Sequence, residues 1–288
     1  MTKAYDDVFY VGEGGLKLYA RDYGDDRGDR PVVLCMHGLT RNSADFHNLA
    51  LILSDRYRVI SVDQRGRGWS DYDTDISRYR PDIYCADMFA LLEHLKLSTV
   101  IAIGTSMGGI MAMMMAATQP GVFSKVIIND IGPDIDPKGL DRIKGYVGGP
   151  NKFDDWDAAV AAIKAQGPDI FPDYTEADWL AFAKRICETT PDGKLRFAYD
   201  PAISKPIKTD GANAAPPDMW SLYSALYDMP VLVIRGALSD ILSKETAQKM
   251  AEDHPNCRYS EIPNIGHAPM LTEPESLLAI ERFLKADT

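Results

Sequence analysis

One ten-residue stretch, Val100–Gly109, constrains the fold of this chain more than any other. It reads V-I-A-I-G-T-S-M-G-G. An apolar, β-branched run stops at Gly104, and a Met- and Ala-rich run suited to a helix begins beyond the last glycine. Glycine at 104 and at 108 lets strand and helix backbones approach more closely than Cβ atoms would permit. The stretch therefore predicts a strand, a sharp turn with Ser106 at its apex, and a helix.

Apolar runs recur on both sides of this turn, with helical patterns between most of them. The predicted strands are Asp7–Val11, Leu16–Tyr23, Val32–Met36, Arg58–Val62, Lys125–Asn129, Val231–Arg235 and Arg258–Ile262. The predicted helices are Ala44–Ser54, Ile83–Leu95, Lys244–Glu252 and Pro274–Lys285. The first two strands, joined by G-E-G-G, are expected to form an antiparallel hairpin. The later alternation predicts an α/β fold: a mostly parallel sheet with helices on both faces.

This alternation stops after Asp130. From residue 132 to residue 227 the sequence shows no convincing buried strand, and G-G-P, G-P and P-P interrupt it. Helical segments are predicted near Asp154–Gln166, Glu176–Thr189 and Met219–Tyr227. We therefore expect a core domain formed by residues 1–131 and 228–288, and a helical lid formed by residues 132–227.

Nucleophilic chemistry by a serine needs a base within reach. His267 lies in N-I-G-H-A-P-M, just after the last predicted strand, and is the predicted base. The alternative is a structural loop histidine. The other histidines are not predicted bases. His37 directly follows a strand, and the residues beside it are expected to be more important for the site than its imidazole ring. His47, His94 and His254 lie on or next to predicted helices.

The base in turn needs a carboxylate that holds its tautomer and stabilises its protonated form. Asp240, in R-G-A-L-S-D just beyond the strand Val231–Arg235, is the predicted acid. Its rival is Asp130, in I-I-N-D after the preceding strand. The alternative role for Asp130 is a helix cap or a hydrogen-bond acceptor at the base of the lid.

Two backbone N–H groups are expected to bind a developing oxyanion. Met107 follows the candidate nucleophile and opens a helix. Leu39, in H-G-L-T after the strand Val32–Met36, is the second predicted donor, unless this loop is an ordinary glycine turn. A further loop, D-Q-R-G-R-G-W-S at Asp63–Ser70, resembles a phosphate loop, but no helix is predicted after it, so a dinucleotide site is disfavoured.

The chain resembles the α/β-hydrolase superfamily in five motifs taken together: H-G-L-T, D-Q-R-G-R-G-W-S, G-T-S-M-G-G, the loop that carries Asp240, and the G-H pair that ends at His267. The resemblance covers nearly the whole chain and implies a lid at the insertion. It further implies a Ser-His-Asp hydrolase that needs no cofactor, with Ser106 as nucleophile. Serine at the apex of the turn distinguishes the chain from haloalkane dehalogenases and epoxide hydrolases, which use aspartate at that position.

The substrate pocket is harder to predict. Trp69 and Met107 lie near the predicted site and are candidate lining residues, whereas most lid aromatics are expected to form the lid's own core. Arg41 and Arg65 flank the site loops and are candidates for binding a substrate carboxylate, although solvated surface charge is the favoured interpretation.

Small esters and lactones are the expected substrates. Hydrolysis of C–C bonds in ring-cleavage diketones or of amides on the same triad, and a hydrolase-fold ligand sensor, are the alternatives.

Composition excludes several classes of partner. The 288 residues include 45% hydrophobic and 25% charged residues, as in ordinary globular proteins. A net charge of −11 argues against binding to nucleic acid or to an anionic membrane surface. The N-terminus lacks a signal-type apolar core, and four scattered cysteines predict reduced thiols and no metal site. A cytoplasmic protein acting on a small molecule without a cofactor is expected; monomer and homo-oligomer are both compatible with the sequence.

Overall fold

The computed structural model describes residues 4–24, 30–167, 169–209 and 218–286, and its core is one large sheet. The strands are β1 (Asp6–Val11), β2 (Lys17–Tyr23), β3 (Val32–Met36), β4 (Arg58–Asp63), β5 (Val100–Thr105), β6 (Phe123–Asn129), β7 (Cys187–Thr189), β8 (Leu195–Phe197), β9 (Val231–Gly236) and β10 (Cys257–Ile262). The large sheet has the order β1-β2-β4-β3-β5-β6-β9-β10. Strands β7 and β8 form a separate antiparallel pair.

The large sheet is antiparallel only at its first edge. Strand β1 pairs with β2, and β2 with β4, in antiparallel register, whereas all pairs from β4 to β10 are parallel. Central strands such as β9 are buried on both faces, which explains why they read as continuous apolar runs. The predicted α/β fold with a mostly parallel sheet is confirmed.

Helices flank this sheet and fill the interval between β6 and β9. They are α1 (His47–Leu53), α2 (Pro81–His94), α3 (Met107–Thr118), α4 (Pro137–Tyr146), α5 (Trp156–Ala165), α6 (Glu176–Ile186), α7 (Ser204–Thr209), α8 (Met219–Ser224), α9 (Lys244–Asp253) and α10 (Pro274–Lys285). Proline in the first turn begins α2, α4 and α10, where its missing N–H costs no hydrogen bond. A capping box between Thr175 and Asp178 begins α6.

The predicted lid, residues 132–227, differs from its sequence-based description at several points. Helices α4 and α7 and strand β8 were not predicted. The segment Cys187–Thr189, predicted as the end of a helix, is the strand β7, because the backbone of Cys187 is extended (φ −115°, ψ 154°) and pairs with β8. Residue 168 and residues 210–217, which include the P-P pair, lie outside the described part of the chain.

The predicted lid is held against two loops of the sheet. The loop after β4 exchanges backbone hydrogen bonds with residues 198–200: the N–H of Gly68 donates to Ala198 and that of Asp200 to Gly66, both over 2.8 Å. The loop after β10 donates from the N–H of Gly266 to the carbonyl of Ile170 over 2.7 Å. Both loops leave the carboxyl ends of parallel strands, the edge at which open α/β sheets form their sites.

Within the described ranges, no helix combines the length and the apolar character needed to cross a membrane.

Candidate active site

Ser106 lies in the sharp turn that the sequence predicts between β5 and α3. Its φ of 52° and ψ of −116° are unusual for a residue with a side chain, and such strain is common at functional sites. A Cβ atom placed on Gly104 would lie 2.3 Å from the carbonyl oxygen of Gly108. One placed on Gly108 would lie 2.0 Å from the carbonyl oxygen of Met36 on β3. The close approach that makes glycine necessary at 104 and 108 is therefore present.

His267 connects Ser106 to a buried carboxylate. Its Nε2 lies 2.9 Å from Oγ of Ser106, and its Nδ1 lies 2.8 Å from Oδ2 of Asp130. Because an ionised carboxylate can only accept, Nδ1 carries the hydrogen and donates it to Asp130. Nε2 is then free to accept the Ser106 hydroxyl hydrogen. The predicted contact between Ser106 and His267 is present, with the geometry that general-base chemistry requires.

The predicted acid, Asp240, does not contact His267, so its assignment is wrong. Asp240 accepts two hydrogen bonds from Arg142 on α4, from Nε over 2.6 Å and from Nη2 over 2.8 Å. Strands β6 and β9 are parallel neighbours, so loops after both reach the same edge of the sheet. Asp130 directly follows β6, and its left-handed backbone (φ 58°) redirects the chain at that point. Its side chain, not that of Asp240, reaches the imidazole.

Asp130 is fully buried, and three donors satisfy its carboxylate. Besides His267, the N–H of Gly236 donates to Oδ1 over 2.9 Å, and the hydroxyl of Ser239 donates to Oδ2 over 2.7 Å. The backbone N–H of Asp130 itself donates to Ile234 on β9. A buried carboxylate is costly unless it is hydrogen-bonded in this way, so the loop after β9 stabilises the acid that follows β6.

Asp240 is electrostatically coupled to the same site. Burial favours a higher pKa for its carboxyl group, but the hydrogen bonds and charge of Arg142, together with the charge of His267, hold that pKa below its ordinary value. Asp240 therefore remains ionised and balances the charge of Arg142.

The two predicted oxyanion donors belong to two different segments of the site. Met107 begins α3, and the first N–H groups of a helix have no acceptor within it. The carbonyl of Gly38 accepts from Nδ1 of His37 over 2.7 Å. Because a trans peptide is planar, the N–H of Leu39 points away from that ring. Leu39 itself lines the cavity that contains Ser106.

His37 and Arg67 hold the Leu39 loop in place, although the sequence alone assigned neither of them to the site. Nε2 of His37 accepts from the N–H of Gln64 over 3.0 Å, so its hydrogen is on Nδ1. Burial lowers the pKa of His37 to about 3, so the ring is neutral near pH 7. The buried Arg67 donates from Nε to the carbonyl of Leu39 over 2.9 Å. The sequence D-Q-R-G-R-G at the end of β4 could have indicated this role. Strand β4 is the neighbour of β3, so the loops that follow these two strands meet at one edge of the sheet.

A cavity of about 100 Å³ contains Ser106 and His267. Its lining is largely apolar and includes four aromatic side chains of the predicted lid: Tyr146, Phe171, Trp179 and Phe182. Other aromatics of that segment pack elsewhere, such as Phe153, whose ring meets Phe197 edge-on. Phe171, Trp179 and Phe182 also pack on one another, so these rings line the cavity and form part of the core that was expected for most of the aromatics in this segment.

The structure places the predicted pocket residues in different environments. Arg41 lines the cavity, where it pairs with Asp45. Trp69 does not, because its side chain is 72% exposed on the outer surface beside Tyr19. The side chain of Met107 packs in the hydrophobic core. Arg65 is not a solvated surface charge.

Arg65 is fully buried, and two carboxylates compensate its charge. It donates from Nε and Nη2 to Asp87 and from Nη1 to Asp73. Burying an unpaired guanidinium would cost several kcal/mol, so this network explains how the D-Q-R-G loop can bury an arginine. Arg65 is thereby a structural residue of the loop after β4.

The residues that the structure describes contain no cluster of three or more His, Cys, Asp or Glu side chains that could hold a metal ion. The described cysteines are all free thiols. That the reaction needs no cofactor stays a prediction.

Comparison with known proteins identifies the family of the chain. The family model described as the α/β hydrolase fold matches residues 31–274. The crystal structure of an α/β hydrolase from Novosphingobium aromaticivorans is 42% identical, covers 99% of both chains and superposes with a TM-score of 0.93. These findings confirm the resemblance that the sequence motifs suggested.

Two curated relatives are named as hydrolases. The 3-hydroxybutyrate-oligomer hydrolase of Cupriavidus necator is 32% identical over 95% of this chain and 94% of its own length. The 2-(acetamidomethylene)succinate hydrolase of Mesorhizobium japonicum is 30% identical over 96% of this chain and 94% of its own length. The family and these names support a hydrolytic enzyme.

Proposed function

We propose that this chain, which belongs to the α/β-hydrolase family, cleaves a small carboxylic ester or lactone through an acyl-serine intermediate. One observation carries the proposal: an unbroken hydrogen-bonded series from Oγ of Ser106 through His267 to the buried Asp130. This series has the nucleophile, base and orienting acid that acyl transfer by serine requires.

The first half of the reaction forms the acyl-enzyme. As Oγ of Ser106 attacks the carbonyl carbon, its proton passes to Nε2 of His267, and Asp130 stabilises the resulting imidazolium. The carbonyl oxygen becomes an oxyanion, which the N–H groups of Leu39 and Met107 stabilise. When the tetrahedral intermediate collapses, the C–O bond to the leaving group breaks, and Nε2 returns the proton to the departing alkoxide oxygen.

The second half repeats these steps with water. His267 accepts a proton from water as its oxygen attacks the acyl-serine carbonyl, and the same N–H groups stabilise the second oxyanion. Collapse breaks the bond to Oγ, which regains its proton from His267. The acid product is released, and the enzyme returns to its starting protonation state.

The test compares the wild-type protein with Ser106→Ala on short alkyl and p-nitrophenyl esters. Removing the nucleophile should lower kcat by on the order of 10⁶-fold, as loss of one triad member does in serine hydrolases. A fluorophosphonate should label the wild-type protein at one serine and leave Ser106→Ala unlabelled. Ester turnover that survives in Ser106→Ala would overturn the proposal, and a folded wild-type protein that resists labelling would favour the ligand-sensor alternative.

A second candidate is hydrolysis of an amide-type bond on the same triad. The observation that favours it is the name of one relative, which acts on 2-(acetamidomethylene)succinate, a compound that its name describes as an acetamide derivative. Rates on matched ester, lactone, amide and vinylogous diketone substrates would separate the candidates. An amide cleaved faster than its ester counterpart would replace the first proposal by the second.

A further inference from the structure

Two guanidinium groups line the cavity that contains Ser106. Arg41 lies on the same loop as Leu39, and Arg142 lies on α4, within the predicted lid. Their side chains are only 20% and 23% exposed. Moving a guanidinium out of water is costly, and most of the surrounding wall is apolar. The two cations therefore need an explanation beyond surface charge.

Each guanidinium pairs with a carboxylate along its Nε and Nη2 edge. Asp45 lies against the Nε and Nη2 edge of Arg41, at 2.6 and 2.9 Å. Asp240 occupies the same edge of Arg142, and the carbonyl of Gln166 accepts from Nη1 over 3.3 Å. Tyr146 is a further hydrogen-bond partner of Arg142, and Nη2 of Arg41 also approaches Sδ of Met270 at 3.6 Å. A guanidinium has five N–H donors, so each group still retains at least one unused donor. Within the described residues, no acceptor bonds to Nη1 of Arg41.

Both arginines line the same cavity as Ser106 and His267. A Cβ atom placed on Gly38 would lie 3.6 Å from Cβ of Ser106 and 3.7 Å from Cγ of Arg41, so Gly38 is within contact range of both residues. On the other side, Asp240 links Arg142 to the electrostatic environment of His267. The two guanidinium groups therefore belong to the wall of the cavity that Ser106 and His267 also line.

The charges of Arg41 and Arg142 both act on the hydroxyl group of Tyr146. Burial raises the pKa of Tyr146, and the charges of Arg142 and Arg41 act on it in the opposite direction. Tyr146 lines the same cavity. Arg41, Arg142 and Tyr146 therefore all offer hydrogen-bond donors to one cavity, and donors of this kind recognise a carboxylate.

A neutral ester in this cavity would cover the remaining N–H groups without supplying a strong acceptor, which costs free energy. From this geometry, and resting on the proposed hydrolysis at Ser106, we infer that the substrate carries a free carboxylate bound by Arg41 and Arg142. Because Arg41 and Ser106 line one cavity of about 100 Å³, that carboxylate lies a few bonds from the scissile carbonyl. The class is therefore short esters bearing a carboxylate, on either the acyl or the alcohol side.

The experiment uses matched pairs that differ only in charge. Monoethyl succinate is compared with ethyl succinamate for the acyl side, and 3-acetoxybutanoate with 3-acetoxybutanamide for the alcohol side, in a pH-stat assay. The wild-type protein should favour the acid over the amide by about 10- to 100-fold in kcat/KM for at least one pair, as expected of charge-assisted hydrogen bonds. The pair that shows this preference identifies the side that bears the carboxylate.

Variants test whether the two arginines cause the preference for the acid over the amide. Arg142→Gln and Arg41→Gln should each lower the acid-to-amide ratio, chiefly by raising KM for the acids, and Arg142→Lys should retain part of it. Arg56→Gln is the matched control, because Arg56 is half-exposed and pairs with Glu281 outside the cavity. It should leave the ratio unchanged. Equal rates for acid and amide in the wild-type protein, or equal losses on both in Arg142→Gln, would overturn the inference.

Binding separates this inference from the proposed function. Calorimetry with Ser106→Ala measures the affinity for monoethyl succinate and for ethyl succinamate without any turnover, with the 3-acetoxybutanoate pair measured in the same way. An acid bound at least ten times more tightly than its amide supports the carboxylate site even if no ester is cleaved. Equal affinity for acid and amide in both pairs rejects it even if neutral esters are hydrolysed at Ser106.

Discussion

The hydroxyl of Ser239 donates to Oδ2 of Asp130 over 2.7 Å, the same oxygen that accepts from Nδ1 of His267. Ser239 directly precedes Asp240, so the loop after β9 contributes to the site through a hydroxyl and not through its carboxylate. The oxygen of Ser239 in turn accepts from the N–H groups of Ile241 and Leu242, both over 3.2 Å. The loop is thereby folded around the buried acid.

Asp130→Asn should lower kcat on an ester substrate by about 10⁴-fold, because an amide at this position favours the wrong imidazole tautomer. Asp240→Asn is the matched variant, since Asp240 follows the neighbouring strand and pairs with Arg142. On a neutral ester its effect should be far smaller. Steady-state kinetics of both variants, with circular dichroism to check folding, test this assignment. The larger loss in Asp240→Asn would show that Asp240 is the acid after all.

Arg67→Lys should lower kcat about tenfold with a smaller effect on KM, because the Leu39 carbonyl loses the donor that orients its loop. Arg67 donates from Nε to Leu39 and from Nη1 to Arg65, and its guanidinium lies 4.8 Å from the ring centre of Tyr84. A lysine ammonium cannot make this set of contacts in the same plane. Arg56→Lys on the surface is the control and should match the wild-type protein. An unchanged kcat in a folded Arg67→Lys protein would remove Arg67 from the positioning residues.

Gly104→Ala should lower the free energy of unfolding by more than about 2 kcal/mol, since its Cβ would overlap the backbone of Gly108 and neither chain segment can move away. Gly145→Ala in α4 is the opposite case. Its Cβ would meet no atom within 4 Å, and the helix should gain about 0.5–1 kcal/mol. Urea denaturation measures both. The prediction is contradicted if the two alanines change stability in the same direction.

Acid should destabilise the fold through His37. An exposed histidine has a pKa near 6.5, whereas burial lowers the pKa of His37 to about 3 in the folded protein. Between these values the unfolded chain binds a proton that the folded protein does not, so stability falls as the pH drops below 6.5. Between pH 7 and pH 5 this one group should cost about 2 kcal/mol.

Urea denaturation of the wild-type protein and of His37→Asn at the two pH values isolates this contribution. His47 and His254, whose pKa values burial also lowers, are present in both proteins and cancel. The variant should show the smaller pH dependence. If it is too unstable to measure, NMR of the wild-type His37 ring should show it neutral down to pH 4. Titration of that ring near pH 6.5 would contradict the prediction.

Much of the fold could be predicted because its signals are local. Apolar strands alternate with amphipathic helices, and the predicted bounds of α10 agree with the structure. The pair β7 and β8 was missed because each strand has only three residues, too few for a periodic pattern. Helix α4 was missed for a related reason: two glycines lie within it, at 139 and 145, and weaken its helical pattern.

The sequence by itself determined the serine and its base. G-T-S-M-G-G can form the turn only with glycine at 104 and 108, and His267 is the histidine that directly follows the last strand of the sheet. Only the tertiary structure decided the acid. Asp130 and Asp240 follow neighbouring parallel strands, so their positions in the sequence are equally suitable. Burial among three donors and pairing with Arg142 distinguish them, and both are long-range contacts that no local pattern encodes.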